Sequence, residues 1–125
     1  MLQQKNRLTG KKEWEILFNE GNFVGAKFLT MKTWKINIEK YPRRKFLADD
    51  LKIGFSVGLK ISKSAVKRNT VRRKMREVVR LLLKENKIKT GFLVGFMVKN
   101  TILEADYQEI EKDIIFCLKK VGLLI

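Results

Sequence analysis

The residues that could do chemistry are concentrated between Ser64 and Lys84, in the stretch SAVKRNTVRRKMREVVRLLLK. Arginine recurs there about once per helical turn, and a guanidinium group pairs with phosphate oxygens through two parallel hydrogen bonds. Glu77 is the only acid, so the compensating charges that usually accompany a solvated basic helix are nearly absent. We interpret the stretch as a surface for a polyanion and keep a merely solvated face as the alternative.

The same stretch has the period of an amphipathic helix. Apolar residues recur three or four positions apart on one side, and cationic residues lie on the other. The apolar seam consists of Val71, Met75, Val78 and Leu82, widened by Val79. Ser64 is the predicted N-cap. Because isolated charges are costly to desolvate, such a helix buries the seam and leaves its cationic side for water or for a polyanion.

Composition favours a nucleic-acid partner. The 125 residues include 28 Lys and Arg against 13 Asp and Glu, a formal net charge of +15, and 45% are hydrophobic. This balance is typical of one folded domain, residues 1–125, that binds a polyanion. No apolar run approaches the ~20 residues of a membrane span, and no signal-peptide segment is visible. With Cys117 as the single cysteine, we expect a cytoplasmic protein with no membrane partner.

The sequence contains no visible catalytic apparatus. It has no histidine, no Gly-rich phosphate loop and no cluster with the spacing of metal ligands. The acid pair Asp49–Asp50 falls in a predicted turn, and the pair Glu109–Glu111 falls on a predicted solvated helix. We therefore expect no catalytic residue, no metal site and no bound cofactor on this chain. If it takes part in a reaction, another molecule supplies the reacting groups.

A short helix is predicted near the N-terminus, with Thr9 as its N-cap and Gly21 as its end. Trp14, Leu17 and Phe18 share one face of it. Two large aromatic residues on so short a helix favour core packing. The alternative is that one ring lines a groove, where it could stack on a base.

The next segments alternate between turns and extended chain. Asn22–Gly25 is predicted as a turn, and Lys27–Ile38 as an extended segment. Its apolar residues change sides near Lys32, which predicts a bulge or a break there. Tyr41–Asp50 holds the only proline and mixed charges, and is predicted as a loop.

The remaining elements complete an α/β (α+β) two-layer sandwich. Leu51–Leu59 alternates as a strand, and the almost wholly apolar Gly91–Lys99 predicts a strand that is covered on both faces. Thr101 and Glu104 have the spacing of a capping box before a final helix. We predict a small sheet of about four strands with helices packed on it, in the order α-β-β-β-α-β-α.

One side of the predicted strand Leu51–Leu59 is nearly bare. It presents Lys52, Gly54, Ser56 and Gly58. A glycine-lined strand either admits a closely packed helix or forms the floor of a groove for an extended chain, and both interpretations stay open.

The basic stretch resembles the signature of the bacterial ribonuclease P protein subunit, A-x-x-R-N-R-x-K-R-x-x-R-E. The resembling residues are Lys67-Arg68-Asn69-Thr70-Val71-Arg72-Arg73 followed by Met75-Arg76-Glu77. The Arg7-Leu8 start, the short aromatic helix ending at Gly21, and Ile53-Gly54-Phe55-Ser56-Val57 before the signature also resemble this family. The similarity covers nearly the whole chain, in the family's order and size.

The resemblance implies a non-catalytic subunit of an RNA-catalysed endonuclease. In that family the large RNA holds the active site and requires Mg²⁺, and the complex removes the 5′ leader of precursor tRNA. The implied partners are ribonuclease P RNA and precursor tRNA, with no protein partner. The resemblance also implies a left-handed crossover around the basic helix, against the general right-handed rule.

The resemblance further implies two groups of site residues. The expected RNA-binding residues are Lys60, Lys63, Lys67, Arg68, Asn69, Arg72, Arg73, Arg76 and Arg80. The expected residues of a cleft for the leader are Trp14, Phe18, Phe28, Met31 and Ser56. The chain departs from the family pattern at Thr70, where a second arginine is usual, and at Met31, where many members carry Tyr.

Two other classes of protein stay open on the sequence. One is a ribosomal-type RNA-binding protein with a structural role. The other is a DNA-binding protein that places the basic helix in the major groove, although no turn and partner helix precede that helix.

Overall fold

The described residues form three α-helices and four strands, in the predicted order. The computed structural model describes residues 2–44 and 46–125, so Met1 and Lys45 lie outside the described residues. The helices are α1 (Lys11–Glu20), α2 (Ala65–Lys84) and α3 (Tyr107–Lys120). The strands are β1 (Asn22–Gly25), β2 (Leu29–Lys35), β3 (Leu51–Ser56) and β4 (Phe92–Val98). Short 3-10 turns lie at Gln4–Asn6, Pro42–Arg44 and Asn100–Glu104.

These strands pair into a mixed sheet in the order β1-β2-β4-β3. β2 is antiparallel to both of its neighbours, whereas β3 and β4 are parallel, so α2 lies in the crossover between two parallel strands. At the centre of the parallel pair, Gly54 lies directly beside Gly95. The α+β fold class and the order of elements are confirmed. The left-handed sense of the crossover stays a prediction.

Both faces of the sheet carry helices. On one face, the buried seam of α2 and the inner side of α3 form the main core with residues of all four strands. On the other face, α1 covers part of β2 and β4, and its residues form a smaller core. The smaller core contains Leu8, Ile16, Leu17, Trp34, Phe46 and Leu93. Part of that second face stays open beside α1, and this opening positions the candidate site.

β2 runs without the bulge that was predicted near Lys32. It pairs with β4 at every residue from Leu29 to Lys35. Leu29 and Met31 point into the main core, whereas Trp34 points into the smaller core on the opposite face. The apolar residues therefore change sides because the sheet is packed on both faces, and no irregularity of the strand is needed.

Three further local predictions are wrong. Asn22–Gly25 is an edge strand and not a turn. Its Asn and Gly residues are typical of turns, but its backbone pairs with β2, and this pairing outweighs the local preference. The N-cap of α1 is Gly10, with φ 93°, and not Thr9. The capping box before α3 is formed by Asp106 and Glu109, while Thr101–Glu104 lies in a 3-10 turn.

β3 ends at Ser56, earlier than the predicted end at Leu59. Val57 is still buried, but Leu59 is exposed in the turn that leads to the basic helix. Residues 57–64 therefore form a short connection between the sheet and α2.

Candidate RNA interface

The basic helix α2 has the orientation that its sequence predicts. Ser64 caps it, since the Ser64 hydroxyl oxygen accepts a hydrogen bond from the backbone N–H of Lys67 at 3.3 Å. Its seam lies in the main core, where Val71, Met75, Val78 and Val79 are buried. Leu82 is partly buried against the same core. The helix thus directs its opposite, cationic side away from the sheet.

Three of the predicted RNA-binding arginines are engaged by the protein itself. Arg68 Nη1 donates to the carbonyl of Ser62 at 2.8 Å. Arg72 donates from Nη1 to Asn69 Oδ1 at 2.9 Å and from Nη2 to the carbonyl of Val57 at 3.0 Å. Arg68 and Arg72 therefore fasten α2 to the connection that follows β3.

Arg80 is held on its own helix. It donates two hydrogen bonds to the carboxylate of Glu77, at 3.0 Å and 2.7 Å. These bonds lower the pKa of Glu77 and raise that of Arg80, because each ionised group stabilises the other. The single acid of the basic stretch thus pairs with the arginine nearest the C-terminal end of α2.

Five other predicted cations are exposed without a protein partner. They are Lys60, Lys63, Lys67, Arg73 and Arg76. Among the described residues, the structure gives none of their side chains a hydrogen bond or an ion pair. Arg73 and Arg76 lie one helical turn apart on the outer side of α2, and the lysines lie at its N-terminal end. These side chains are the ones free to contact phosphate groups.

Thr70 presents no cation where the family pattern has an arginine. Its hydroxyl donates to the carbonyl of Val66 in the preceding turn of α2, at 2.9 Å. The side chain therefore folds back on its own helix, and this position contributes no charge to the basic surface.

The glycines of the bare side of β3 and β4 admit α1. A Cβ atom on Gly54 would lie 2.6 Å from the Trp14 ring, and one on Gly95 would lie 2.5 Å from Leu17. Only glycine permits so close an approach of helix to sheet. The packed-helix interpretation thus holds at this level of the sheet.

The next level of the same face is open. Cross-strand pairing places Thr30, Met97 and Ser56 in a row on β2, β4 and β3, one step beyond the glycines that α1 covers. Thr30 and Met97 are partly exposed and Ser56 is exposed. The exposure of this row is compatible with the groove interpretation, which stays a prediction.

α1 forms the wall of this cleft with two aromatic rings. The rings of Trp14 and Phe18 are stacked, with centroids 5.7 Å apart and an angle of 28° between their planes. Trp14 is half-buried over the glycines, whereas Phe18 is 46% exposed. Lys32 lies beside Phe18: its Nζ is 5.1 Å from the ring centroid and donates to the Phe18 carbonyl at 3.0 Å. Phe18 thus presents an accessible aromatic surface at the cleft.

Two residues that were expected in the cleft lie on the opposite face of the sheet. Met31 is 0% exposed and Phe28 is 7% exposed, and both belong to the main core beneath α2 and α3. Side chains alternate along a strand, so the residues of β2 that face the cleft are Thr30 and Lys32. The expectation for Met31 and Phe28 is therefore wrong.

Sequence reasoning missed Thr30, Lys32 and Met97, which lie on the cleft side of the sheet, and Phe23, which lies on the same side at the edge of the sheet. Side chains alternate along a strand, so the sequence alone already indicates that Lys32 and Met31 point to opposite faces of the sheet. Met97 fell in a strand that was predicted to be covered on both faces, and Phe23 fell in a segment predicted as a turn. Trp14 and Phe18 stack on each other and Ser56 lies next to Met97 on the sheet, and a role of these residues in leader binding stays a prediction.

Cleft and basic surface adjoin each other. Ser56 ends the row of the cleft floor, and the next residue, Val57, accepts the hydrogen bond from Arg72. A chain that leaves the cleft at Ser56 therefore arrives at the connection and the N-terminal half of α2, where Lys60, Lys63, Lys67 and Arg73 lie.

The end of α1 is fixed by a polar cluster. The carboxylate of Glu20 accepts hydrogen bonds from Lys40 Nζ and from the Tyr41 hydroxyl. The bond from Lys40, followed by the bond from Tyr41, lowers the pKa of Glu20. Tyr41 in turn packs edge-on against Trp34 of the smaller core. This cluster holds the loop that follows β2 against the helix that carries Phe18.

Two other kinds of site are absent from the part of the chain that the structure describes. No three His, Cys, Asp or Glu side chains come together there to hold a metal ion. No helix there is long and apolar enough to cross a membrane.

Comparison with known proteins identifies the family. The family model described as Ribonuclease P matches residues 2–122. The chain belongs to the ribonuclease P protein family. The ribonuclease P protein component of Alkaliphilus metalliredigens is 30% identical over 123 residues, which cover 98% of this chain and 99% of that protein. The corresponding protein of Alkaliphilus oremlandii is 34% identical over 97 residues, or 67% of this chain and 82% of that protein.

Solved structures of this family share the fold. The ribonuclease P protein of Staphylococcus aureus superposes with a TM-score of 0.77 at 18% identity, covering 95% of this chain and 97% of that one. The Thermotoga maritima protein gives a TM-score of 0.73 at 20% identity, covering 92% and 96%. Family membership makes this chain a subunit in tRNA 5′ processing, associated with an endoribonuclease complex that contains RNA.

Proposed function

We propose that this chain is the non-catalytic subunit of an RNA-catalysed ribonuclease P, and that it holds both the catalytic RNA and the 5′ leader of precursor tRNA. The observation that carries the proposal is the junction at Ser56 and Val57, where the open side of the sheet beside α1 meets the connection and the helix that carry five unpaired cationic side chains. The family role in tRNA 5′ processing supports it.

The outer side of α2 binds the catalytic RNA. Arg73 and Arg76 are exposed and have no partner among the described residues, so contact with phosphates breaks no bond within the protein. Each phosphate contact releases a condensed cation from the RNA, which makes the binding dependent on salt. Lys60, Lys63 and Lys67 extend the same surface toward the cleft.

The cleft binds the single-stranded leader. Its wall offers the ring of Phe18 for stacking, and its floor offers Thr30 and Ser56 for hydrogen bonds. Stacking on an aromatic ring tolerates any base, which suits leaders of differing sequence. The RNA partner supplies the reacting groups and the Mg²⁺ ions, and this chain binds no cofactor of its own. The complex acts in the cytoplasm.

Reconstitution with ribonuclease P RNA tests this proposal. At low Mg²⁺, where the RNA alone cleaves slowly, adding the chain is expected to stimulate removal of the leader from precursor tRNA. Shortening the leader is expected to abolish most of the preference of the complex for precursor over mature tRNA. Cleavage by RNA-free protein would contradict the non-catalytic role. Lack of stimulation would favour the structural, ribosomal-type role.

A further inference from the structure

An aromatic residue on the edge strand has no role in the fold. Phe23 of β1 is 62% exposed, the most exposed ring among the aromatic residues that the structure describes as exposed. Its ring lies near Gly25, where a Cβ atom would be 3.7 Å from the ring edge. Gly25 presents no side chain, so the ring reclines along the strand and keeps its outer surface open to solvent.

Phe23 and Phe18 lie on either side of the same lysine. Phe23 is the direct cross-strand partner of Lys32, and the two side chains therefore emerge on the same face of the sheet. The Lys32 ammonium group lies over the Phe18 ring on the other side. Lys32 therefore has an exposed ring on each side, Phe23 on the neighbouring strand and Phe18 on α1.

The chemistry of this arrangement fits one nucleotide. A base needs a flat apolar surface, and its phosphate needs a cation one nucleotide's breadth away. Phe23 supplies the first and Lys32 the second. Charge also selects the occupant, because a chain with a net charge of +15 favours a polyanion over another copy of itself.

We infer that Phe23 and Lys32 form an additional leader subsite, in which one base stacks on Phe23 with its phosphate at Lys32. The inference rests on the proposed binding of the leader in the cleft. It makes β1 the outer end of the leader path, beyond Phe18. The subsite accepts any base, so its ligand is any single-stranded leader that is long enough to reach the edge of the sheet.

Leader-length series of the assembled complex test the subsite. Complexes of ribonuclease P RNA with the unaltered chain, F23A, F23W or F116A are titrated with precursor tRNAs whose leaders grow by one nucleotide at a time. Phe116 is the matched control, because it is 48% exposed but lies on α3, against the other face of the sheet. Thermal unfolding of the free variants verifies that each one folds.

If the subsite exists, F23A should lose affinity only for the longer leaders of the series. F23A is expected to bind short leaders like the unaltered chain and to bind leaders that reach β1 about fivefold to tenfold more weakly. F23W is expected to restore that affinity, and F116A to bind every leader normally.

Failure of the subsite is distinct from failure of the proposed function. If the unaltered complex gains affinity with leader length but F23A matches it throughout, the subsite is wrong and the cleft stands. An equal loss in F116A, or a loss at every leader length, also overturns the subsite. If the unaltered complex shows no gain with length at all, the proposed cleft itself is wrong. F23A that changes only the self-association of the chain would assign the ring to a contact between copies and overturn the subsite.

Discussion

The carboxylate of Asp113 accepts a hydrogen bond from the backbone N–H of Phe28, with 2.6 Å between the nitrogen and Oδ2. The two residues are 85 positions apart in the chain, and both are buried. The bond joins α3 to the start of β2, just after the turn that leads from β1. The hairpin that carries Phe23 and Lys32 is therefore fastened to the last helix of the fold.

Replacing Asp113 should lower stability. D113A leaves the N–H of Phe28 buried without an acceptor, and an unsatisfied buried group of this kind costs about 1–3 kcal/mol. D113N retains an amide oxygen that can accept the same bond, so its loss should be smaller. Urea unfolding of the two variants measures the difference. Equal stability of D113A and the unaltered chain would contradict a structural role for the bond.

Adding a methyl group at Gly54 or Gly95 should displace α1. The new Cβ atom would lie within 2.6 Å of Trp14 or Leu17, and overpacking of this kind costs about 1–3 kcal/mol. Gly58 is the matched control, because a Cβ there meets nothing within 4 Å. G54A and G95A should therefore unfold at lower urea concentration and weaken leader binding, while G58A changes both little. An intact α1 in G54A, seen in its crystal structure, would show that the ring can retreat without cost.

The arginines of α2 should differ in their salt dependence. R73A removes a free cation and should lower the slope of log affinity for ribonuclease P RNA against log salt by about 0.7 to 0.9. R80A should change the slope less, because the Arg80 guanidinium is already paired with Glu77. E77A provides the control, since it frees Arg80 and should steepen the slope. A slope unaffected by R73A would place this side chain in solvent in the complex.

Acid should weaken the attachment of α1 to the loop after β2. The pKa of Glu20 is lowered in the fold from its ordinary value of 4.5, chiefly by the hydrogen bond from Lys40. Its contribution to stability is therefore complete above pH 4.5 and is lost as the pH falls through the lowered value. The difference in Tm between the unaltered chain and E20Q should shrink from pH 7 to pH 3. A difference independent of pH would exclude the ionised carboxylate as its source.

The success of sequence reasoning depended on how local each feature is. The whole of α2, including its cap at Ser64, follows from the spacing of seam and cations within one segment. The pairing of Arg80 with Glu77 was not predicted, although the two residues are only three positions apart. The side of β2 that faces the cleft depends instead on where α1 packs, and that contact is tertiary. Met31 was assigned to the cleft by the family resemblance, and nothing local in the sequence shows that it lies in the core.

The edge strand illustrates the same limit. Asn22 and Gly25 are typical of turns, and only the backbone of β2, several residues further along, makes this segment a strand. Its assignment as a turn concealed Phe23, whose exposed ring has meaning only beside Lys32. The sequence also could not reveal the row on the cleft floor, because its residues come from three strands that are distant in the chain. They are Thr30, Met97 and Ser56.

The bond from Arg72 to the carbonyl of Val57 has a mechanical consequence. It ties the first turns of α2 to the first residue of the connection, directly after β3, so the helix and this edge of the sheet keep a fixed relative position. A catalytic RNA bound to Arg73 and Arg76 would thus lie at a fixed distance and angle from a leader that passes Ser56. The guanidinium group of Arg72 would then fix the spacing between the bound RNA and the leader.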